Sequence, residues 1–302
     1  MTQNNNQLIT NNQTVATIEP RSGKKKKEII LLTLKYLILI GATVMFMLPL
    51  AWTISGSVKP NGEIFNVPIT FIPSEFKWEN YVNMLEAFPM IKYALNSSII
   101  VAFNVVLNTA SSFFVAYGFA RFKHKLNGPL FMIVLATMMI PEHVTLVPQF
   151  LLFSKLGWVN TYLPLIVVGA FGVPYKIFLM RQFILTLPKE LDESAYMDGA
   201  NSFQVLTKII APLCLPIMIT MAIMTFNFHW NDFLGPLIYL RDPEKFPLQL
   251  GLYALNGERE TMTDYGVVFA ASITALIPPL VLFLALQKHI LSGIKLGGSI
   301  KG

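Results

Sequence analysis

Tyr93-Ala-Leu-Asn96-Ser-Ser-Ile-Ile-Val-Ala-Phe-Asn104-Val-Val-Leu-Asn108-Thr-Ala-Ser-Ser-Phe-Phe-Val-Ala-Tyr-Gly-Phe-Ala120 contains no Asp, Glu, Lys or Arg. A bilayer core is about 30 Å thick, which takes about 20 helical residues at about 1.5 Å each. This run is therefore long enough and apolar enough to be a membrane-spanning helix. Five more stretches of the same kind flank it: 36–58, 126–141 (ended by Glu142-His143 and followed by a shorter run to Ser154), 156–175, 209–231 and 265–287. The expectation is an all-α integral membrane protein with six transmembrane helices. Helices are preferred over a barrel, because barrel strands alternate and run only about ten residues. Prolines inside the runs, such as Pro49, Pro216, Pro278 and Pro279, are tolerated by spanning helices.

The composition agrees. Of 302 residues, 54% are hydrophobic and only 13% charged, against about 25% charged in an ordinary soluble domain. Disordered, collagen-like and disulfide-scaffold classes are excluded by the same numbers, and the single Cys214 cannot make an internal disulfide. The net charge of +6 is a topology signal rather than a nucleic-acid footprint, since no aromatic-basic motif accompanies it. Arg21, Lys24 to Lys27, Arg121, Lys123, Lys125, Arg181, Lys189, Lys208, Lys288, Lys295 and Lys301 fall on one side of the six-span scheme. That side carries about twice the Lys and Arg of the other, so it is expected to be cytoplasmic, with both termini inside. Lys35 and Lys176 lie near span ends. Residues 1–28 read as a disordered basic cytoplasmic tail, 29–290 as the transmembrane domain and 291–302 as a Gly-rich cytoplasmic tail. The segments 59–92 and 235–264 read as outer loops. The first apolar run is too long for a cleaved signal core, and no clear A-x-A site follows it.

Catalytic patterns are missing. The sequence has no H-E-x-x-H, no Cys-based zinc pattern, no G-x-S-x-G elbow and no G-x-x-x-x-G-K-[ST] for a nucleotide phosphate. No metal site and no cofactor are expected in this chain. His124 sits among Arg121, Lys123 and Lys125 and reads, like His289, as a solvated residue.

The informative connection follows the fourth run: Arg181-Gln-Phe-Ile-Leu-Thr-Leu-Pro188-Lys-Glu190-Leu-Asp192-Glu193-Ser194-Ala195-Tyr-Met-Asp198-Gly199-Ala-Asn201-Ser202-Phe203, then Ile209-Ile-Ala-Pro212. Pro188 suits a helix start. Glu190, Asp192 and Glu193 fall in the first turns, where the helix dipole favours acids. Gly199 can take positive φ and end the helix, and Asn201-Ser202 can cap the next one. A helix, a sharp turn and a second helix make a compact elbow over residues 185–212, able to transmit force.

This stretch resembles the EAA signature of permease subunits of binding-protein-dependent ABC importers, which reads E-A-A, three residues, G, nine residues, then I-x-L-P. Glu193, Ala195, Gly199, Ile209 and Pro212 match in spacing, while Ser194 replaces the first Ala and Ala211 the Leu. Phe178-Leu-Met-Arg181-Gln-Phe183 and Trp230-Asn231-Asp232-Phe233 are similar to the carbohydrate-importer, MalG-like branch, as is the Gly-rich end. The resemblance covers roughly residues 25–302. It implies a type I ABC importer permease with a cytoplasmic coupling helix in the bacterial cell membrane. It also implies a second permease subunit, two ATPase subunits that bind ATP and Mg, and an extracytoplasmic solute-binding protein that delivers the sugar. By this resemblance Glu193, Ser194, Ala195, Asp198, Gly199 and Pro212 belong to the ATPase-coupling loop. Glu193 would pair with a basic group on the ATPase, and Ala195 and Gly199 would allow close approach.

Polar residues inside spans are functional candidates. Asn227, His229, Trp230, Asn231 and Asp232 fall in the outer half of span five. They offer an aromatic face and amide and carboxylate groups to a sugar, or else form an ordinary interfacial belt. Glu142 and His143 fit either an interfacial pair or an outer-gate contact. Asn104 and Asn108, four apart on one helix face, fit either a solute pathway or bonds to a neighbouring helix. The expected function is ATP-driven uptake of a sugar or oligosaccharide by alternating access. Its rivals are a permease for another polar solute such as glycerol phosphate, an ion-coupled secondary transporter, and a membrane enzyme. Apart from membrane lipid, the partners are proteins and solute, not nucleic acid.

Overall fold

The computed structural model of the protein describes residues 22–87, 89–257 and 264–298. The readings made on residues 1–21, on 258–263 of the second outer loop and on the terminal 299–302 lie outside the described residues. All regular structure among the described residues is helical. The chain divides into two units, residues 1–52 and 53–302. The first holds most of α1 (Ser22–Ser57), an apolar helix with Pro49 inside it. That helix begins within the 1–28 segment expected to be disordered. Lys24 to Lys27 are good helix formers and extend the apolar run backward.

In the second unit, α2 (Glu79–Ala87) lies inside the 59–92 segment, which is anchored by Asn80 donating to Ser57 O (3.1 Å) and Lys59 O (2.9 Å). The long rod α3 (Met90–Arg121) follows, about 48 Å by helical rise. It is the hub of the unit. Tyr93 and Val101 join a cluster with Trp230, Leu248 and Ala271. Ile100 joins a second with Phe153, Leu165 and Tyr239. Phe113, Ala116 and Tyr117 join a third with Ile184, Val205 and Ile210. The near end of α3 touches the 243–246 stretch through Asn96, which donates to Glu244 O and Phe246 O, and through a Lys92–Glu244 ion pair. Its far end, Arg121, lies at the elbow.

Two spans differ from expectation. The run 126–141 is not one straight helix: α4 (Asn127–Thr137) is followed by α5 (Glu142–Lys155), bent from it by 94°. An 11-residue α4 reaches only about 16 Å. The cause is Pro141, which has no N–H and pushes Ile140 out of helical geometry; Pro141 itself is extended, with ψ 133, and precedes the first turn of α5. The pair begins beside Phe119 and Phe122 at the Arg121 end of α3, where Asn127 donates to both carbonyls. It ends in the loop at Asn160, whose N–H donates to Tyr239 O and whose Oδ1 accepts from Arg241 and Asp242 N–H.

The fourth apolar run is shifted along the chain. It comprises α6 (Leu163–Ala170) and α7 (Pro174–Thr186), a combined apolar stretch Leu163–Thr186, whereas 156–162 belongs to the loop. Lys176 and Arg181 had ended the charge-free run at Tyr175, yet the fold accommodates both inside the helix. After α8 (Glu190–Met197) and the short α9 (Ser202–Gln204), a π turn (Val205–Ile210) leads into α10 (Ala211–Trp230). Then come α11 (Leu234–Tyr239), α12 (Leu248–Gly257) and α13 (Tyr265–Gly298). α13 runs on through 291–298 of the segment expected as a tail. Five helices are long and apolar enough to cross a membrane, and the α4/α5 pair together makes a sixth if counted as one span.

Candidate functional site: an elbow and a cleft at opposite ends of the spans

The elbow forms for local reasons. Lys189 precedes α8, whose first turn holds Glu190, Asp192 and Glu193. Gly199 takes φ +83 with open space around it, and Ala200 N–H bonds back to Ala195 O (2.9 Å) while Gly199 N–H bonds to Tyr196 O (3.1 Å). This is a left-handed helix stop that satisfies the last carbonyls. Asn201 then caps α9 reciprocally with Gln204, each side chain accepting from the other's backbone N–H at 2.9 Å. Pro212 brings no N–H to the helix ladder, and the backbone widens to the π turn just before it.

The predicted coupling residues divide by face. Glu193, Ser194, Asp198 and Gly199 are exposed, as is Pro212. Met197 beside them is 88% exposed. Ala195 is not on that face. It is buried in the cluster of Ile184, Val205 and Ile210, so its small size lets α8 close on its own chain rather than admit another.

Asp192 is buried too. Arg121 Nε lies 2.7 Å from Asp192 Oδ2 in an ion pair whose side chains are 5% and 10% exposed, and Arg121 Nη2 donates to Leu187 O at 3.2 Å. Burial pushes the Asp192 carboxyl above its ordinary pKa; the guanidinium opposes this and Glu193 adds to it. From sequence alone Arg121 reads as a topology charge and Asp192 as a first-turn acid, with no pairing between them. The available signal was their position: a cation ending one helix and an acid starting another. A second arginine is held nearby, Arg181 donating to Phe119 O (3.3 Å) and lying over the Phe131 ring at 4.2 Å.

At the opposite end of the spans lies a cleft of about 540 Å³, lined by Glu142, His143, Asn227, Phe228, Asn231 and Asp232 among others. The fold thus brings the Glu142-His143 pair, at the start of α5, together with the polar end of α10. Asp232 Oδ1 accepts from Gly235 N–H (3.1 Å) at the start of α11. Burial raises its pKa, Glu142 adds to the rise, and the Gly235 and Leu234 N–H groups oppose it.

Trp230 does not line this cleft. It is 3% exposed, stacked on Phe226 at 5.3 Å, and donates to Ala275 O at 3.2 Å. The aromatic lining comes instead from Phe228 and Phe233. Asn104 and Asn108 are absent from the lining as well; both are fully buried between helices. Asn104 Nδ2 donates to Ile100 O (3.0 Å) and Leu165 O (2.9 Å). Asn108 Oδ1 accepts from Lys176 Nζ at 3.2 Å, and the same ammonium donates to Thr225 Oγ1 at 2.6 Å. Both asparagines thus bond to a neighbouring helix.

Among the described residues, apolar helices long enough to cross a membrane carry a helical elbow at one end and a cleft of mixed polar and apolar lining at the other, the build of a multi-pass membrane protein. Residues 109–296 match the description "binding-protein-dependent transport system inner membrane component", and the chain belongs to that family. It is similar to the probable ABC transporter permease protein YurM of Bacillus subtilis, 32% identical over 94% of both chains. It is likewise similar to the arabinooligosaccharides transport system permease protein AraQ of the same organism, 33% identical over 90% of this chain and 96% of that one. The diacetylchitobiose uptake system permease protein NgcG of Streptomyces coelicolor is 30% identical over 87% of each. Among solved structures, a chain of a bacterial ABC transporter importing the acidic polysaccharide alginate superposes with TM-score 0.77, covering 90% of this chain and 99% of that one at 22% identity. That likeness shows the fold. The protein is accordingly an ABC transporter permease, a transport subunit and not an enzyme.

Proposed function

We propose that the protein is one permease of an ATP-driven importer that carries a sugar or oligosaccharide into the cell by alternating access. The observation that carries this reading is the elbow. It is a compact helical unit with EAA spacing, locked to the spans on one face by Ala195 and Asp192, and presenting Glu193, Ser194, Asp198 and Gly199 on the other. Such a unit suits docking on an ATPase subunit, with Glu193 meeting a basic group there. Relatives named for oligosaccharide transport supply the solute class. Partners on this reading are a second permease, two ATPase subunits that bind ATP and Mg, and a solute-binding protein on the outer face. The α4/α5 pair starts at the elbow end and finishes beside residues 239–242, which supports six crossings with both termini inside.

The solute route on this reading passes the cleft, where Asn227 and Asn231 offer amides to hydroxyls and Phe228 and Phe233 offer apolar faces to a sugar's C–H side. Glu142 and Asp232 both line it. Two carboxylates repel an anion, which counts against glycerol phosphate.

The test is reconstitution. The chain co-expressed with its partner subunits and placed in vesicles should take up labelled oligosaccharide only with ATP on the elbow side and binding protein on the other. Glu193→Ala should leave the fold intact, because the side chain is exposed, and should uncouple hydrolysis from uptake. Uptake by this chain alone under an ion gradient would replace the reading with a secondary transporter, and a fully coupled Glu193→Ala complex would remove Glu193 from the docking contact.

A further inference from the structure

The elbow reading leaves open how a push on α8 reaches the spans. α8 itself is short, and its apolar attachment to the cluster of Ile184, Val205 and Ile210 runs through the single small side chain of Ala195. The directional link is the buried pair. Arg121 is the last residue of α3, where a cation meets the negative end of the helix dipole, and Asp192 lies in the first turn of α8, where an acid meets the positive end. The two helix ends are thus joined head to tail by a buried ion pair with an N–O separation of 2.7 Å. Arg121 reaches past α8 as well, to Leu187 O in the link from α7. One guanidinium therefore holds three elements in register.

The pair is poorly built for stability. Asp192 Oδ1, Arg121 Nε and Arg121 Nη1 are buried without a hydrogen-bond partner among the described residues, and a buried ion pair recovers its desolvation cost only when its lone pairs and protons are satisfied. An arrangement of this kind fixes geometry more than it adds stability. What it fixes α8 to is the hub of the unit. α3 carries a polar seam along its length: Ser97 Oγ accepts from Leu248 N–H, Asn104 donates to Leu165 O, Asn108 accepts from Lys176, and Ser112 Oγ accepts from Val173 N–H. At its other end α3 is tied to Glu244 and Phe246. A displacement of Arg121 along the axis of this single rod is felt by α6, α7, α12 and the far loop.

We propose that the Arg121–Asp192 pair is the strut that carries motion of the elbow into α3, making Arg121 a positioning residue for the coupling of ATP hydrolysis to solute movement. This rests on the reading of α8 as the ATPase-docking element. The experiment uses the assembled complex in vesicles and measures solute taken up per ATP hydrolysed, alongside the amount of complex recovered. Four forms are compared: wild type, Arg121→Gln, Arg121→Lys and the double variant R121M/D192L. The double variant removes both charges at similar volume, a change that is often neutral or stabilising, so it keeps the test valid if Arg121→Gln fails to fold.

The expected result is wild-type recovery of the double variant with uptake per ATP lowered about tenfold, the scale of a typical coupling energy, while Arg121→Lys keeps most of the coupling. A double variant as tightly coupled as wild type would overturn the proposal. So would a loss of uptake that merely follows a loss of assembled complex. A wild-type complex whose uptake ignores ATP would instead sink the underlying docking reading, which separates the two failures.

Discussion

Lys176 donates to Asn108 Oδ1 and Thr225 Oγ1, so three helices meet at one ammonium inside the spans. Both acceptors are neutral. A buried polar group loses more when its partner vanishes than the bond itself is worth. Lys176→Ala therefore opens a cavity and leaves Asn108 Oδ1 without its donor, for a cost of about 2–4 kcal/mol. Lys176→Met keeps the volume, removes a charge that is expensive in a membrane, and should cost about 1 kcal/mol or less. Thermal unfolding of the detergent-solubilised protein distinguishes the two, and a Met variant as unstable as the Ala variant would show that the charge itself holds the helices.

Asp232 gives a second residue-scale prediction. Its folded-state pKa lies above the ordinary carboxylate value. The protonated form is thus the one the fold favours, and its contribution to stability is lost as pH rises through the folded pKa. Lowering the pH from neutral toward 4 should stabilise wild type relative to Asp232→Asn, whose side chain carries no charge to lose. A difference between the two that is flat across this range would contradict the burial argument. The sequence alone marked the end of α10 as polar and placed Asn227, Asn231 and Asp232 correctly in one region. It could not show that Trp230 turns inward or that Asn104 and Asn108 satisfy neighbouring groups, because those outcomes depend on which helices pack together.

At the scale of elements, the elbow was the most legible piece because its rules are local. Gly199 stops α8 and Asn201 caps α9 by chemistry that a few adjacent residues decide. Gly199→Ala meets no neighbour at its Cβ, so its cost is backbone strain alone, about 1–2 kcal/mol. Asn201→Ala should cost about 1 kcal/mol through the lost capping box. Both should shift the melting of the protein downward, and an unchanged Gly199→Ala melt would mean the turn relaxes to another geometry.

The third and fourth spans were less legible. Pro141 was read as the end of a span, whereas it is the bend within a helix pair. The fourth span was cut short at Lys176 because charge was taken to mark a boundary. Its burial among Asn108 and Thr225 is a tertiary solution that no local pattern announces.

At the scale of the whole molecule the deciding quantity is the number of crossings, since an odd number would put the two termini on opposite sides and separate the Lys-rich connections. Positive charge near span ends argues for the elbow side being cytoplasmic, and the path of α4 and α5 from Asn127 to Asn160 argues that the bent pair crosses. The chain has a single cysteine, Cys214, which is buried, so a Cys214→Ala background accepts one reporter thiol at a time. Lys77, Lys125, Lys155 and Lys189 are all exposed and suit replacement by cysteine. A membrane-impermeant thiol reagent added to intact cells should modify K77C and K155C at once, and K125C and K189C only after the membrane is opened. Lys155 is the informative position, because it ends α5. If K155C reacts only together with K125C, the pair dips into the bilayer and returns, the chain crosses five times, and the shared cytoplasmic side of the Arg121 connection and the elbow must be argued afresh.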